Sequence, residues 1–313
     1  MTGCQFRCLY CHNPDTWNMM NGIPVTLERA KAQLAKYRHG LKIMKGGFTM
    51  SGGEPLMRRD LDRLVRMIRE VPQIRFIGMT TNGFMLPERA SALKEAGLDG
   101  VTVSLHSLKP ARFEEVTGGG PLDRALAGIR AAQQNRFDPI KVNCVIIRGF
   151  NDDEIIDLAS MAFHNDLTLR FIEFMPFDGR QAWQSEKVIS GDEIVARIRE
   201  RYELIPLPRE GSSTARVYKF LRGKGEIGII TSVTEPFCSD CNRIRLSADG
   251  EIVTCLFDRR SYDLKPLLRG HASDDELSRT IIDAVARKPP GVLTLLKQHQ
   301  KLRHVRPMYT IGG

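Results

Sequence analysis

Residues 4–11 read Cys4-Gln-Phe-Arg-Cys8-Leu-Tyr-Cys11, which places three cysteines at a C-x3-C-x2-C spacing within eight residues. Three thiolates this close together can hold a 4Fe-4S cluster through three of its irons and leave the fourth iron open to a small molecule. A zinc site is the alternative, but zinc prefers four ligands in paired C-x2-C or C/H sets. The spacing therefore predicts an iron–sulfur cluster with one open iron.

Downstream of this stretch, short β-branched runs alternate with amphipathic segments between residues 45 and 174. The pattern predicts strands at 46–50, 75–80, 100–105, 140–147 and 168–174, and helices at 60–70, 87–96, 122–135 and 152–163. Repeated strand–helix units are typical of a parallel sheet that is closed or half-closed into a barrel. We therefore expect an α/β fold with five strands in this part of the chain.

The functional loops of such a sheet follow the carboxyl ends of its strands. Four candidate loops have distinctive chemistry, namely Ser51-Gly-Gly-Glu-Pro55, Thr80-Thr-Asn-Gly83, Ser104-Leu-His-Ser107 and Glu173-Phe-Met-Pro176. Gly52 and Gly53 would let the backbone approach a ligand closely, and Glu54 could accept a hydrogen bond from an amino group. The alternative is that the two glycines only form a turn.

Composition and cysteine usage limit the class of protein. With 313 residues, 42% hydrophobic and 27% charged, the chain has the composition of a globular protein with a sizeable core. Its apolar runs are too short to cross a bilayer, so we expect a cytoplasmic protein without a membrane partner. Six of the seven cysteines form two close triplets, which fits metal clusters in a reducing compartment better than disulfides. Cys144, in an apolar run, is expected in the core.

The net charge of +9 indicates an anionic partner. Nucleic acid, an acidic protein and a polyphosphate substrate are the candidates. The basic residues are scattered among acidic ones, with no run of five like charges, whereas a nucleic-acid surface is usually a concentrated basic patch with aromatics. Most of the basic residues are therefore expected on solvated faces, and charge alone does not choose among these partners.

A second cysteine triplet lies near the carboxyl terminus, at Cys238, Cys241 and Cys255. Zinc completed by His271 is one interpretation. Arg243 and Arg245 would lie on one face of an extended segment beside this triplet, where they could hold a phosphate or a base edge. The segment before it predicts a helix at 191–201 and strands at 204–207, 217–221 and 227–230. Residues 223–228 match G-x-G-x-x-G by letters but are expected to form a hairpin.

The run C-x2-C-N-R-I-R-L-S-A-D-G-x5-C from Cys238 to Cys255, together with Ile311-Gly-Gly313, resembles the GTP 3′,8-cyclase family of molybdenum cofactor biosynthesis. The opening triplet likewise resembles the signature of the radical S-adenosylmethionine (SAM) superfamily. The likeness to the cyclases covers the chain from about Ser51 to its last residue. It implies an incomplete (β/α)6 radical SAM barrel at residues 1–190, lacking its first strand, and a C-terminal domain at 191–313. A second 4Fe-4S cluster and a Gly-Gly tail that reaches the active site would belong to that domain.

The resemblance also implies roles for individual residues. Both triplets would bind 4Fe-4S clusters, the first (Cys4, Cys8 and Cys11) for SAM and the second (Cys238, Cys241 and Cys255) for the substrate. Contacts to SAM would come from Tyr10, Gly53, Ser104 and Met175. Contacts to GTP would come from Thr80, Lys141, Arg170, Arg243 and Arg245, of which Arg243 and Arg245 are also the implied catalytic residues.

The reaction implied by the resemblance is radical chemistry supplied by the cofactors. One electron would cleave SAM, and the 5′-deoxyadenosyl radical would take hydrogen from C3′ of GTP, after which C3′ attacks C8 of the guanine. Flavodoxin or ferredoxin would donate the electron, and cyclic pyranopterin monophosphate synthase would consume the product. A homodimer is the expected assembly.

Several residues depart from the cyclase pattern. His12-Asn-Pro-Asp-Thr-Trp17 looks more like the activating enzyme of pyruvate formate-lyase. Gly47 and Thr49 stand where the cyclases place basic contacts to GTP, and His106 stands where many relatives have an acid. The alternatives are a glycyl-radical-enzyme activase, a radical SAM maturase of peptides, and an iron–sulfur or zinc module that binds nucleic acid. None of these alternatives explains the second triplet, its two arginines and the Gly-Gly tail together.

Overall fold

The structure is a computed structural model that describes residues 3–8, 11, 16, 18, 20, 24–36, 48–176, 183–209, 211, 213–247, 250–258, 260–289 and 291. The helices of these ranges are Leu27–Lys36 (α1), Leu61–Arg69 (α2), Leu86–Glu95 (α3), Pro110–Thr117 (α4), Leu122–Gln134 (α5), Ile155–His164 (α6), Gly191–Arg199 (α7), Lys265–Arg269 (α8) and Asp274–Ala286 (α9). The strands are Phe48–Met50 (β1), Ile77–Thr81 (β2), Gly100–Ser104 (β3), Ile140–Ile146 (β4), Thr168–Glu173 (β5), Leu204–Pro206 (β6), Arg216–Phe220 (β7), Glu226–Ile230 (β8), Arg245–Leu246 (β9), Glu251–Val253 (β10) and Tyr262–Asp263 (β11).

The larger sheet of the described part has eight strands in the order β1-β2-β3-β4-β5-β8-β7-β6. Strands β1 to β5 are the five predicted ones, and each pairs in parallel with its neighbour. Helices connect successive strands, as parallel pairing requires. The predicted α/β fold with a parallel sheet is therefore confirmed.

The sheet continues further than the sequence analysis predicted. Strand β8 pairs in parallel with β5, and β7 and β6 follow in antiparallel pairing. The predicted hairpin around 223–228 is confirmed, because it joins the antiparallel strands β7 and β8. Strands assigned to a second domain thus share the sheet of the first, and the boundary between residues 190 and 191 stays a prediction.

One face of the larger sheet is apolar and packs against the helices. Val103, Val142, Leu169 and Ile227 lie in register across β3, β4, β5 and β8, and all four are completely buried. The helices contribute their own buried aliphatic side chains to the same core. Cys144 is completely buried in this core, as predicted. Because alternate residues of a strand point to opposite faces, the remaining residues of these strands form a second face.

The part of the chain after β8 contains a small antiparallel sheet in the order β11-β10-β9. Ile252 and Leu264 pack there against Ala284 of α9. Helix α9 begins with a capping box, in which Ser273 and Glu276 satisfy each other's backbone N–H groups. None of the helices in the described ranges is long and apolar enough to cross a membrane.

Candidate functional site

The loop that carries the first cysteine triplet is fixed by its non-cysteine residues. Phe6 is buried and meets the rings of Phe84 and Phe113 edge-on, at centroid distances of 6.3 and 6.5 Å. Arg7 donates its backbone N–H to Thr117 at 2.7 Å and its guanidinium to the Cys4 carbonyl at 2.6 Å. The loop is thereby anchored to the turn that follows β2 and to α4.

Gly53 lies directly against the start of the cysteine loop. The N–H of the next residue, Glu54, donates to the carbonyl oxygen of Gly3 at 2.7 Å. A Cβ on Gly53 would lie 3.0 Å from the Gly3 carbonyl carbon and closer still to its oxygen. Carbon atoms normally approach to about 3.5–4.0 Å. The absence of a side chain at Gly53 therefore allows two backbone segments to meet beside Cys4.

Glu54 ties the same turn to the end of β2. Its buried carboxylate accepts from Thr81 Oγ1 at 2.7 Å, from the Asn82 N–H at 2.7 Å and from the Leu56 N–H at 3.0 Å. Burial raises the pKa of Glu54, while these hydrogen bonds oppose the shift. Glu54 therefore has a structural role in this turn, and its contact with a ligand's amino group stays a prediction.

The Cys4 thiol lies near polar and charged groups. Asn82 Nδ2 is 4.0 Å from Cys4 Sγ. Burial raises the pKa of the Cys4 thiol, and the charges of Glu54 and Cys11 act in the same direction. The effect of Cys11 shows that these two thiols are close enough to interact.

The second face of the larger sheet carries two rows of polar residues, which we call the polar face. The first row runs across neighbouring strands and consists of Thr80, Thr102, Lys141, Thr168 and Glu226. The second row is one step nearer the carboxyl ends of the strands and consists of Ser104, Asn143, Arg170 and Gly228. Four residues assigned to SAM or GTP from the resemblance, Thr80, Ser104, Lys141 and Arg170, therefore share one face.

The two cations of the polar face are half-buried and influence each other. Burial lowers the pKa of Lys141, and the positive charge of Arg170 lowers it further, while Glu226 opposes the shift. Burial also lowers the pKa of Arg170, whose Nε donates to Asn143 Oδ1 at 2.8 Å. Burying two positive charges next to each other costs free energy unless a negative charge is bound beside them. The polar face is therefore suited to binding an anion.

Gly228 makes room for Arg170. A Cβ on Gly228 would lie 2.9 Å from Arg170 Cγ, which is inside normal contact distance. The aliphatic stem of Arg170 can consequently pass beside β8 while its Nε contacts Asn143 on β4. Sequence analysis assigned Gly228 only to a hairpin and missed this role, since the pairing of β5 with β8 is needed to see it.

Glu173, at the end of β5, joins the larger sheet to the segment that leads to the second triplet. Its buried carboxylate accepts from the N–H groups of Val233 and Thr234 at 2.7 and 2.9 Å, and from the Thr234 hydroxyl. It also accepts from the Gly191 N–H at 3.1 Å. The loop containing Glu173 was a sequence candidate for ligand binding. In the structure its carboxylate has a structural role.

The second triplet lies on a short 3-10 helix, Cys238–Asp240, and on the loop after β10. Arg245 interacts electrostatically with Cys241 and Cys255, and burial is the main reason that its pKa is lowered. Burial raises the pKa of Cys255, and the charge of Cys238 contributes. These interactions link Arg245 to Cys241 and Cys255, and Cys255 to Cys238.

Arg243 and Arg245 follow the alternation that the sequence predicted. Both are half-buried, whereas Ile244 and Leu246 are exposed. The Arg243 guanidinium lies over the Phe237 ring at 5.2 Å and approaches Cys241 Sγ to 3.8 Å. Sequence analysis missed a third cation, Lys288, whose Nζ lies 3.3 Å from Cys241 Sγ. No local signal marks Lys288, because the contact joins residues 47 positions apart.

The donor sets of both triplets fit iron–sulfur clusters. Every cysteine is a free thiol, and each triplet is held in loops braced by backbone hydrogen bonds. Across the described ranges, no three His, Cys, Asp or Glu side chains are close enough to hold a single metal ion. A 4Fe-4S cluster instead binds each thiolate through a different iron. His271, proposed as a zinc ligand, is exposed in the turn after α8.

The remaining sequence expectations have mixed outcomes. Met175 is half-buried just after β5, at the carboxyl end of that strand. Tyr10, Gly47 and the tail at 311–313 lie outside the described residues. His106 is buried, and its Nδ1 accepts from the Val145 N–H at 3.1 Å, so it packs the end of β4.

Two family models match the chain. The model of the radical SAM superfamily matches residues 1–162, and the model described as Molybdenum Cofactor Synthesis C matches residues 167–294. The second model begins just before β5, which agrees with the continuation of one sheet through β5 and β8.

Curated relatives match over most of the chain. A GTP 3′,8-cyclase of Acidothermus cellulolyticus is 39% identical over 292 residues, which are 91% of this chain and 80% of that protein. A GTP 3′,8-cyclase of Pelotomaculum thermopropionicum is 38% identical and covers 99% of this chain and 94% of its own length. Human molybdenum cofactor biosynthesis protein 1 is 38% identical over 91% of this chain, a region that makes up 44% of the human protein.

Solved structures show the same fold at low sequence identity. Streptococcus suis SuiB bound to its precursor peptide SuiA superposes with a TM-score of 0.60 at 13% identity, over 98% of this chain and 73% of that one. SuiB bound to S-adenosylmethionine gives a TM-score of 0.57 at 15% identity, over 87% of this chain and 63% of that one. At these identities the likeness extends to the fold alone.

Proposed function

The chain belongs to the GTP 3′,8-cyclase family of the radical SAM superfamily, and on that premise we propose that it converts GTP to (8S)-3′,8-cyclo-7,8-dihydroguanosine 5′-triphosphate, the first step of molybdenum cofactor biosynthesis. The observation that carries the proposal is the polar face. Lys141 and Arg170 are half-buried cations on neighbouring strands, in a sheet whose first strand leads into the turn that contacts the first cysteine loop. Glu226 offsets this positive charge only in part, and a triphosphate would supply further negative charge.

The cofactors of this proposal are two 4Fe-4S clusters and SAM. The first cluster would be held by Cys4, Cys8 and Cys11, and the second by Cys238, Cys241 and Cys255. When bound, the first cluster supplies the electron that cleaves SAM, and the bond-forming chemistry follows from the cofactors. The protein contributes binding, orientation and charge.

The residues of the polar face would hold GTP through its phosphates. The Lys141 ammonium is a compact point charge, whereas the Arg170 guanidinium presents forked N–H donors that match phosphate oxygens. Thr80 stands in the same row as Lys141 and can donate its hydroxyl. Each charged hydrogen bond contributes about 1.5–3 kcal/mol of affinity.

The second triplet and its arginines would hold the guanine end of GTP. Arg243 and Arg245 supply fixed positive charge next to Cys241 and Cys255. Positive charges that are already in place before the reaction stabilise its transition state more than charges that must move into place during it. Ser104, Met175, Gly53 and Tyr10 would surround SAM at the carboxyl ends of the strands.

The partners we propose follow from the reaction. Flavodoxin or ferredoxin would supply the electron, and cyclic pyranopterin monophosphate synthase would take up the cyclised nucleotide. The cytoplasm is the proposed compartment, because the free thiols that bind clusters persist in reducing conditions. We propose a homodimer as the working assembly.

An anaerobic assay tests the function. The chain is reconstituted with iron and sulfide and then incubated with SAM, dithionite and GTP. We expect 5′-deoxyadenosine and a cyclised nucleotide in equal amounts. Formation of 5′-deoxyadenosine with GTP returned unchanged would contradict GTP as the substrate.

Two arginine variants sharpen the assay. Arg243→Ala should abolish nucleotide turnover while SAM is still cleaved, because Arg243 is assigned to GTP and not to SAM. Arg63→Ala is the control, since Arg63 is exposed on α2, where its Nη2 lies 3.7 Å from Glu28 Oε1. Loss of nucleotide turnover in both variants would remove the specific role of Arg243.

A further inference from the structure

Lys288 lies two residues after the end of α9 and contacts the loop of the second cysteine triplet at three atoms. Its Nζ is 2.7 Å from the Cys241 carbonyl oxygen, 3.1 Å from the Arg243 carbonyl oxygen and 3.3 Å from Cys241 Sγ. An ammonium group has three N–H donors and no acceptor. These three acceptors therefore account for all of its donors, and none remains for a substrate phosphate.

The backbone that carries Lys288 is well fixed. Its N–H donates to the Val285 carbonyl at 3.0 Å, which continues the hydrogen bonding of α9. Three residues further on, a Cβ on Gly291 would lie 3.3 Å from both Cβ and Sγ of Cys238. The segment after α9 therefore contacts two cysteines of the triplet, Cys241 through an ammonium group and Cys238 through a glycine.

Lys288 is nearer to the Cys241 sulfur than Arg243 is. The Arg243 Nη1 atom is 3.8 Å from Sγ, compared with 3.3 Å for Lys288 Nζ. Both side chains place positive charge beside Cys241, and the ammonium of Lys288 is the nearer of the two.

The contact with the Arg243 carbonyl gives Lys288 a second effect. By fixing the backbone of residue 243, Lys288 fixes the point from which the Arg243 side chain extends over Phe237. A loop with a free backbone at this point could rotate the guanidinium away. The side chain of Lys288 therefore positions both the Cys241 thiolate and the Arg243 guanidinium.

We propose that Lys288 is a positioning residue of the second cluster site, which stabilises the reduced cluster through Cys241 and holds Arg243 towards the nucleotide. The proposal rests on the proposed function, because it needs a 4Fe-4S cluster at Cys238, Cys241 and Cys255. Hydrogen bonds to cluster sulfurs and nearby positive charge raise the reduction potential of an iron–sulfur cluster. Removing the ammonium should lower that potential.

The test uses the full chain with Cys4, Cys8 and Cys11 replaced by alanine, so that any cluster is the second one. Lys288→Met keeps the length of the side chain and removes the charge, and Lys288→Arg keeps the charge. Lys265→Met is the matched control, because Lys265 belongs to α8 and its Nζ is 3.8 Å from Asp263. Each protein is reconstituted anaerobically, and its iron content, its midpoint potential by EPR-monitored titration and its Kd for GTP are measured.

We expect Lys288→Met to lower the midpoint potential and to weaken GTP binding at least tenfold, the effect of losing the charged hydrogen bond that a correctly held Arg243 would give to GTP. Lys288→Arg should recover most of both values, and Lys265→Met should match the parent. Loss of iron in Lys288→Met alone, with recovery in Lys288→Arg, also supports the proposal.

Two results would overturn it. The first is an unchanged midpoint potential together with an unchanged Kd for GTP in Lys288→Met. The second is loss of the cluster in both Lys288→Met and Lys288→Arg, which would show that the side chain only packs against the site. A parent chain that takes up no iron would instead refute the second cluster of the proposed function. The two failures are thus separated by the parent measurement.

Discussion

Replacing Gly53 with alanine adds one methyl group where the turn after β1 meets the start of the cysteine loop. The new Cβ would lie 3.0 Å from the Gly3 carbonyl carbon and 3.2 Å from the Gly3 nitrogen. Gly53 has no positive φ, so alanine fits its backbone conformation and the perturbation is steric. The neighbouring atoms are backbone and cannot rotate away, so the segment before Cys4 must shift.

The free-energy cost of Gly53→Ala follows from the two interactions that the new methyl group changes. Overfilling a packed site costs about 1–3 kcal/mol. Loss of the hydrogen bond from the Glu54 N–H to Gly3 costs about 0.5–1.5 kcal/mol more. The sum, about 1.5–4.5 kcal/mol, corresponds to about one to three powers of ten in the equilibrium between the closed and the displaced loop.

Iron release measures this displacement without involving SAM. In a chain with Cys238, Cys241 and Cys255 replaced by serine, only the first cluster can form. A chelator should remove iron from Gly53→Ala at least ten times faster than from the parent, with no SAM present. Gly149→Ala is the control, since its Cβ meets nothing within 4 Å and its positive φ of 73° confines the cost to backbone strain.

The opposite pattern would refute the reasoning. If Gly53→Ala keeps its iron as well as the parent and loses only affinity for SAM, the methyl group meets the ligand and not Gly3. In that case the close approach of Gly53 to the cysteine loop has no energetic importance. The contact with SAM that the family resemblance implies would then explain the whole effect of the methyl group.

Three further predictions follow from the polar face and from Glu173. Gly228→Ala should weaken GTP binding about 10- to 100-fold by displacing Arg170, measured by equilibrium dialysis, and an unchanged Kd would show that the guanidinium is not used. Glu173→Gln should lower the free energy of unfolding by about 1–3 kcal/mol in anaerobic urea denaturation, because a buried N–H such as that of Thr234 loses its acceptor; equal midpoints would contradict this. Because burial and Arg170 lower the pKa of Lys141, free protein loses this proton at a lower pH than an ordinary lysine does. GTP binding should therefore take up a proton at alkaline pH and weaken as pH rises, as read by calorimetry in two buffers, and Lys141→Arg should abolish the proton uptake.

Much of the fold could be predicted because local patterns determine elements. The strand at 140–147 was predicted from a run of β-branched residues, and it was found at Ile140–Ile146. The helices α1, α4, α8 and α9 were missed, and the last two bury almost no side chain, since none is buried in α8 and only Ala284 in α9. Strand pairing was harder to predict than the type of each element, because no local sequence pattern specifies that β8 lies beside β5.

The residues of the candidate site, like the elements of the fold, could be predicted only where the sequence pattern is local. Three cysteines in eight residues, and two arginines between cysteines, are local patterns whose chemistry can be inferred from spacing. The roles of Gly53, Glu54 and Lys288 depend on contacts between distant segments, and the sequence alone assigned the first two to a ligand.

The sequence by itself determined the radical SAM chemistry that the first triplet predicts, because the C-x3-C-x2-C spacing keeps three thiolates close together along the chain. Only the tertiary structure decided which polar residues act together. Strand register brings Lys141 and Arg170 onto one face, and backbone packing presses Gly53 against Gly3. The physical reason is that covalent spacing sets which ligands are near along the chain, whereas burial and hydrogen-bond pairing set which distant groups meet.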